Sequence, residues 1–319
     1  MTAADKDYIG MWYRARRRCG IDDAIHFAVI DPEGAGERRY SIPHRHHDGI
    51  GGLLVLLRQW GVPLPPVPHS RQSSPPPWWQ WLRAPGAPPG QPLPWRRLRG
   101  PEPHGQVETT CFDPEATAAI MARAKQEHGS LNSLLLHRLH RAVGETLLET
   151  PSTGSWLYPV NMRGAVSRPR DDMNLSSGFY VPVAPEQSVA VLYAALREGL
   201  RQQQHWRFWH LAHVGRWVGE RGVDWLCRRM LEGPGHLGSF SNLGVWRLDL
   251  GAAGFSDSAC LAVCGPGSPN HPVANGAIIV NGRLTLSLRV DASLTAGRLA
   301  TRKCLNLWRH FLLEEGAGR

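Results

Sequence analysis

Fourteen of the 26 prolines in this 319-residue chain fall between residues 61 and 103. No helix interior or central strand tolerates that density, because proline lacks an amide proton and fixes φ. The same stretch holds Trp78, Trp79, Trp81 and Trp95, whose rings need an apolar surface to rest on. A long segment without regular structure in a folded chain is a linker or a covering loop. The chain therefore divides into residues 1–60, a crossover over 61–106, and residues 107–319, with the crossover joining two lobes.

The chain as a whole has the composition of a soluble globular protein, 42% hydrophobic and 20% charged. A formal charge of +9 and a pI near 9.7 favour anionic partners: a phosphorylated cofactor, an acidic carrier protein, nucleic acid or an anionic membrane. An arginine-rich composition accounts for the same charge. The cysteines, Cys19, Cys111, Cys227, Cys260, Cys264 and Cys304, are scattered without CxxC spacing and read as reduced, buried thiols of a cytosolic protein. Met1 to Asp7 lack the apolar core of a signal peptide, and no run of about 18 apolar residues occurs. The expectation is a soluble, cytoplasmic chain with no transmembrane segment.

Hydrophobic spacing predicts a first helix over Asp5–Arg18, a strand over Ala24–Ile30, a turn at 31–36 and a second strand over Arg38–Ile42. That hairpin leads into Pro43-His44-Arg45-His46-His47-Asp48-Gly49, and a helix follows to Trp60 with Leu53, Leu54, Leu56 and Leu57 inward. Further on, Glu108–Phe112 reads as a strand, and Asp113-Pro114-Glu115 opens a helix. Helices are expected at Leu134–Leu148, Val189–Gln203 and Leu294–Leu313, and within Trp206–Met230. Strands are expected from Trp156 and over Gly178–Val183, and at Gly238, where the strand breaks into a polar loop. Asn281-Gly282 supplies the two positive-φ residues of a type I′ hairpin between Gly276–Val280 and Arg283–Val290.

Three constellations carry chemistry. His44 and Asp48 stand at a strand-to-helix junction, where a neutral histidine held in one orientation serves as a general base near pH 7. His44, His46 and Asp48 also match the HxHxD opening of a zinc metallohydrolase ligand set, with Gly49 where a further histidine is needed and no convincing downstream ligands at His104, His128, His205 or His271. His137 and His140 lie one helical turn apart and, with no third ligand evident, read as a wet helix face rather than a metal pair. The interleaved Trp206, Arg207, Phe208, Trp209, His210, Arg216 and Trp217 resemble a stacking platform, but at helical spacing they read as core plus a solvated face rather than a nucleic-acid site.

Several motifs occur in one order. Pro43-His44 to Asp48-Gly49 resembles the HHxxxDG motif of the CoA-dependent acyltransferase superfamily, which includes chloramphenicol acetyltransferase, peptide-synthetase condensation domains, plant HxxxD acyltransferases and wax-ester-synthase-like enzymes. Val160-Asn161-Met162-Arg163 is similar to its NxR strand end, Asn174-Leu175-Ser176-Ser177 to the NxS segment, and Ser239-Phe240-Ser241-Asn242-Leu243-Gly244 to the SNxG loop. Asn281 to Asp291 resembles the late hairpin, and Ala3-Ala4-Asp5 the opening. The first motif histidine is Pro43 here, as in the plant branch, which keeps only the second.

The resemblance implies a mixed α/β, two-lobed, chloramphenicol-acetyltransferase-like fold, with mixed sheets flanked by helices and an active-site tunnel between the lobes. It implies transfer of an acyl group from an acyl-CoA or a phosphopantetheine thioester on an acyl carrier protein to a small-molecule alcohol or amine, with His44 as the base. No permanently bound cofactor is implied. Asp48, paired with Arg163 or alternatively Arg283, would fix the turn. Gly49 would allow tight packing, and Asn174, Ser239, Ser241 and Asn242 would shape the site. Because His44 follows so short a first lobe, a partner subunit or oligomer completing that lobe is a further expectation. So is an inactive scaffold that docks a carrier protein or partner subunit.

Overall fold

The computed structural model describes residues 8–34, 36–70, 92–96, 106–166, 169–233, 235–294 and 297–314, with Pro76 and Trp79. The Ala3-Ala4-Asp5 opening, the expected helix start at Asp5, His104, and Trp78 and Trp81 lie outside the described residues. In chain order the elements are α1 (Tyr8–Arg18), β1 (Ala24–Asp31), β2 (Gly36–Pro43), α2 (Gly49–Gln59), β3 (Glu108–Cys111), α3 (Pro114–Gln126), α4 (Leu131–Thr146), β4 (Gly154–Asn161) and β5 (Ser176–Val183). They continue with α5 (Val189–Arg201), α6 (His205–His213), α7 (Gly215–Glu232), β6 (Gly238–Ser239), β7 (Asn242–Trp246), β8 (Cys260–Cys264), β9 (Val273–Val280), β10 (Arg283–Val290) and α8 (Arg298–Leu313).

Local chemistry sets most of these boundaries. Asp48 caps α2 and Asp113 caps α3, where Pro114 takes the first turn. Ser130 and Ser133 form a reciprocal capping box, so α4 starts at Leu131, three residues before the apolar periodicity begins. Helix α8 starts at Arg298 and not at Leu294, which belongs to a short 3-10 turn. The stretch Trp206–Met230 is spread over two helices, the second broken at Gly219, whose φ is +66°. Asn281 and Gly282 have φ of 50° and 83° and close the β9–β10 hairpin.

The strands form two sheets, one of order β2-β1-β8 and one of order β3-β10-β9-β6-β4-β5, with β7 also paired to β9. The second is mixed: β4–β6, β6–β9 and β7–β9 run parallel, the others antiparallel. Residues of the first 60 do not form a unit by themselves, because β8, from far along the chain, completes their sheet. Their core also mixes Ile25, Phe27, Leu53 and Leu57 with Leu243, Leu261 and Ile278. The two sheets meet where β9 passes under β8. A Cβ at Gly276 would stand 1.9 Å from the Val263 carbonyl oxygen, so only glycine permits that approach. The larger core gathers α4 and α8 on the second sheet, around the fully buried Trp156 and Trp308.

Parts of the proline-rich crossover dock as a covering loop. Pro68 accepts from the Asn161 side chain at 2.6 Å, and the Ser70 amide donates to the Arg163 carbonyl at 2.6 Å. Trp95 packs on the larger core, whereas Trp79 is 46% exposed. No helix among the described residues is long and apolar enough to cross a membrane.

The expectation that all cysteines are reduced is overturned. Cys111 on β3 and Cys260 on β8 form a disulfide across 149 residues, tying the edge strand of one sheet to the other sheet. The pairing was invisible in the sequence because nothing in the spacing brings an edge strand of residues 108–111 against β8. Cys19, Cys227, Cys264 and Cys304 are free.

One buried ion pair joins the N-terminal segment to the second sheet. Arg163, just beyond β4, places two guanidinium nitrogens at 2.8 Å from the two oxygens of Asp48. Both residues are buried, at 1% and 4% exposure. The carboxylate also accepts from the Gly51 and Leu175 amides, each at 2.8 Å. The remaining guanidinium protons go to the Asp171 and Met173 carbonyls and the Asn161 side chain. Every charge is thus bonded, the condition under which a buried pair is tolerated.

Removing one partner leaves the other buried and uncompensated, so Arg163→Met or Asp48→Asn should lower unfolding free energy by about 3–5 kcal/mol in chemical denaturation. The double variant Asp48→Leu/Arg163→Met should recover part of that loss, and a loss under about 1 kcal/mol in both single variants would contradict the arrangement. Alkylation of the denatured, unreduced protein should label four cysteines and label six only after reduction; six without reduction would remove the disulfide.

Candidate active site

Strand β2 ends at Pro43, and His44 follows as its backbone amide donates to the Asp23 carbonyl at 2.7 Å. Asp48, four residues on, is taken up by the ion pair and by the cap of α2. The turn between them is therefore anchored at both ends. Gly51 must be glycine: a Cβ there would lie 2.4 Å from the Asp172 carbonyl oxygen. Arg163 brings in the segment 171–174, whose Asn174 amide donates to the His46 carbonyl at 2.9 Å.

Asn174 then reaches the histidine. Its side-chain oxygen accepts from Ser176 Oγ at 2.9 Å, which leaves Nδ2 to donate to the His44 carbonyl at 2.8 Å. The same nitrogen lies 3.1 Å from His44 Nδ1. On the other side, the Tyr13 hydroxyl of α1 is 2.7 Å from Nδ1, and the two rings stack with centroids 5.1 Å apart. Among the described residues nothing bonds His44 Nε2. Burial holds the imidazole below its ordinary pKa of 6.5, outweighing the opposing pull of Asp48. Burial also pushes the Tyr13 phenol up to about 12. At neutral pH the pair is an uncharged imidazole against an uncharged phenol.

His44, Asp48, Gly49, Arg163, Asn174, Ser239, Ser241 and Asn242 all line one cavity of about 380 Å³. Its remaining wall comes from α1 (Trp12, Tyr13, Arg16), α6 (Phe208, Trp209), the ends of β4 and β5, and the loop at 265–271. The volume fits a small-molecule site, mostly apolar with a few convergent polar groups. The Ser239–Asn242 loop interrupts what is otherwise one strand against β9. Asn275 holds it open, accepting from the Ser241 amide at 3.2 Å and donating to the Ser239 carbonyl at 2.6 Å. Asn242 donates to Asn132, which donates to the Tyr158 hydroxyl. The Ser239 and Ser241 hydroxyls bond nothing else among the described residues and face the cavity.

The geometry speaks against three alternative readings. All four donors around Asp48 are in place, so its oxygens have no lone pair left for a zinc ion, and His46 is exposed with Arg45 Nε on its ring. His137 and His140 point apart: one bonds the Gln187 carbonyl, and the other accepts from buried Trp156 at 3.2 Å. Of the aromatic stretch, Trp206 and Trp209 pack in a core cluster, Phe208 and Trp209 also line the cavity, and Trp217 is 87% exposed, so the rings form no continuous platform. Arg283 sits at the start of β10, in register with Val280 of the hairpin, and among the described residues Arg163 is the one that pairs with Asp48. Tyr13, Arg16 and Asn275 were missed in the sequence. Tyr13 and Arg16 lie on a helix that reads as amphipathic, and which of its residues face a cavity depends on how α1 packs on α7.

No family model matches the chain, and no curated protein matches it significantly. Solved structures do. The chain is similar to the condensation domain of the Monacolin K polyketide synthase MokA (TM-score 0.50, 13% identity, 88% of this chain and 70% of that one). It is also similar to polyketide synthase associated protein 5 from Mycobacterium tuberculosis (TM-score 0.49, 15% identity, 91% and 76%). A third similar structure is the epimerization domain from the third module of tyrocidine synthetase B (TM-score 0.42, 16% identity), where the chain is covered over 74% and spans about half of that domain, 53%. At such identities the likeness is one of fold. With its mixed sheets and flanking helices, the chain has the fold of a condensation domain.

Proposed function

We propose that the protein is an acyltransferase that moves an acyl group from a thioester, carried by CoA or by the phosphopantetheine of an acyl carrier protein, to the hydroxyl or amine of a small acceptor. The observation that carries this reading is the setting of His44: it lines the cavity, is gripped at Nδ1, has no bond to Nε2 among the described residues, and is held below its ordinary pKa by burial. A proton on Nδ1, donated to the Tyr13 oxygen, leaves the Nε2 lone pair free to act as the base.

In the reaction Nε2 takes the proton of the acceptor as the acceptor's heteroatom attacks the thioester carbonyl carbon. The carbonyl electrons move to oxygen and give a tetrahedral oxyanion, for which the Ser239 and Ser241 hydroxyls are the candidate donors. The oxyanion collapses, the carbon–sulfur bond breaks, and the leaving thiolate takes the proton back from the imidazolium. An ester or amide and a free thiol result, with no covalent acyl-enzyme. Asp48 acts at a distance by holding the turn and is a positioning residue, as are Arg163 and Asn174. The excess positive charge, +9, suits a phosphate-bearing donor or an acidic carrier protein.

With a panel of acyl-CoAs and acyl-carrier thioesters, His44→Ala should lose about 10²–10⁴-fold in kcat/KM. The acid limb of the wild-type profile should fall below 6.5, because the depressed pKa keeps the base form until lower pH. Turnover equal in both proteins would instead favour the inactive scaffold that docks a carrier or partner subunit. Tyr13→Phe should lower kcat roughly threefold to tenfold with KM unchanged, the size of one neutral hydrogen bond; an unchanged kcat would remove Tyr13 from the site.

A further inference from the structure

Helix α1 carries a run of arginines whose partners are not alike. Arg14 pairs with Glu220, Arg17 with Asp23 and Arg18 with Asp224. Arg16 alone of the four turns into the cavity. Among the described residues it has no carboxylate partner and no hydrogen-bond acceptor, and its Nε is buried without a bond. Its nearest feature is an aromatic face: the guanidinium carbon stands 5.9 Å from the centre of the Tyr13 ring. That ring stacks in turn on His44, so the cation is one ring removed from the imidazole.

An arginine facing an apolar pocket with nothing to pair it is costly unless a ligand completes it. The two carboxylates nearby are already paired, Asp48 with Arg163 and Asp23 with Arg17, and the remaining titratable groups supply no anion. Tyr180 bonds His271 at 2.8 Å, and His236 stacks on Tyr180 at 3.9 Å, three rings in one column at the edge of the cavity. Burial first, then His236 and Arg16, hold His271 down to about 3, and burial raises the Tyr180 phenol, so the column is neutral near pH 7. A planar fork of donors with no free carboxylate beside it fits a carboxylate ligand, which it binds through two parallel bonds.

We propose that Arg16 is the recognition residue for an anionic group on the acyl acceptor, which is a hydroxy- or amino-carboxylate. This rests on the acyltransfer reading for the assignment to the acceptor. In that reading the donor's thioester carbon lies at His44, and its phosphate lies at the far end of the pantetheine arm. A negative charge one ring from the imidazole is therefore not the donor's phosphate, and the proposal assigns it to the acceptor.

Binding to the full chain by calorimetry tests this without turnover. The probes are 3-hydroxybutyrate, 3-hydroxybenzoate and 3-aminobenzoate, each beside its methyl ester, with phosphopantetheine as the donor-side control. At least one acid should bind wild type roughly tenfold to hundredfold tighter than its ester, the range of a charge-assisted pair. The preference should vanish in Arg16→Gln, survive in weakened form in Arg16→Lys, and persist in His44→Ala. Acid and ester binding alike, neither binding at all, or a preference kept in Arg16→Gln would overturn the proposal. Loss of phosphopantetheine binding in Arg16→Gln, with the acids unaffected, would overturn it in favour of the donor phosphate. An Arg16-dependent preference without any acyl transfer would leave the anion site standing and sink the catalytic reading.

Discussion

The buried pair between Asp48 and Arg163 is the interaction on which the rest of the site depends. It closes three things at once: the N-terminus of α2, the end of β4 and the entry to β5. An exposed pair of this kind contributes little, since water competes for both charges. Here both ions are out of water, so the geometry is strict and the loss of either is expensive. The consequence for chemistry is indirect. By fixing where the chain re-enters at Leu175, the pair fixes Asn174 one residue earlier, and Asn174 fixes the backbone of His44. The carboxylate that looks like a catalytic partner in the sequence never touches the histidine side chain.

Polarity is arranged with the same economy around the imidazole. A neutral phenol holds its inner edge, and a neutral amide holds the backbone carbonyl of the same residue. With no carboxylate bonded there, burial dominates and lowers the pKa. A histidine bonded to a carboxylate would shift the other way and be protonated more of the time. The unpaired Arg16 adds to the effect by disfavouring a second positive charge nearby. The cavity thus keeps its base neutral while presenting one cation to a ligand.

Much of this was legible in the sequence where local chemistry decides the outcome. The Asn281-Gly282 turn, the caps at Asp48 and Asp113 and the ordered motifs each have a mechanism that acts within a few residues. Strands β7 and β8 were not legible: β8 is buried along its whole length and shows no alternation, and β7 is interrupted by Gly244 at φ +85°. The disulfide and the role of Tyr13 depend on contacts between segments more than 30 residues apart, which no periodicity encodes. The proline-rich crossover was legible as irregular, but that it covers Arg163 was not. Within the motif, the sequence could not divide labour among three histidines; the structure leaves His46 exposed and turns His47 toward the Asp172 carbonyl, so only His44 reaches the cavity.

The central claim is that His44 stands in the cavity as a neutral base with its proton on Nδ1. Nitrogen-15 NMR of the histidine-labelled protein, assigned with His44→Gln, reads both the tautomer and the titration of that ring directly. The account predicts a protonated Nδ1 at pH 7 and a midpoint below 6.5, the ordinary value. A proton on Nε2, which would make Nδ1 the acceptor of the Asn174 amide, or a midpoint above 6.5, would contradict it.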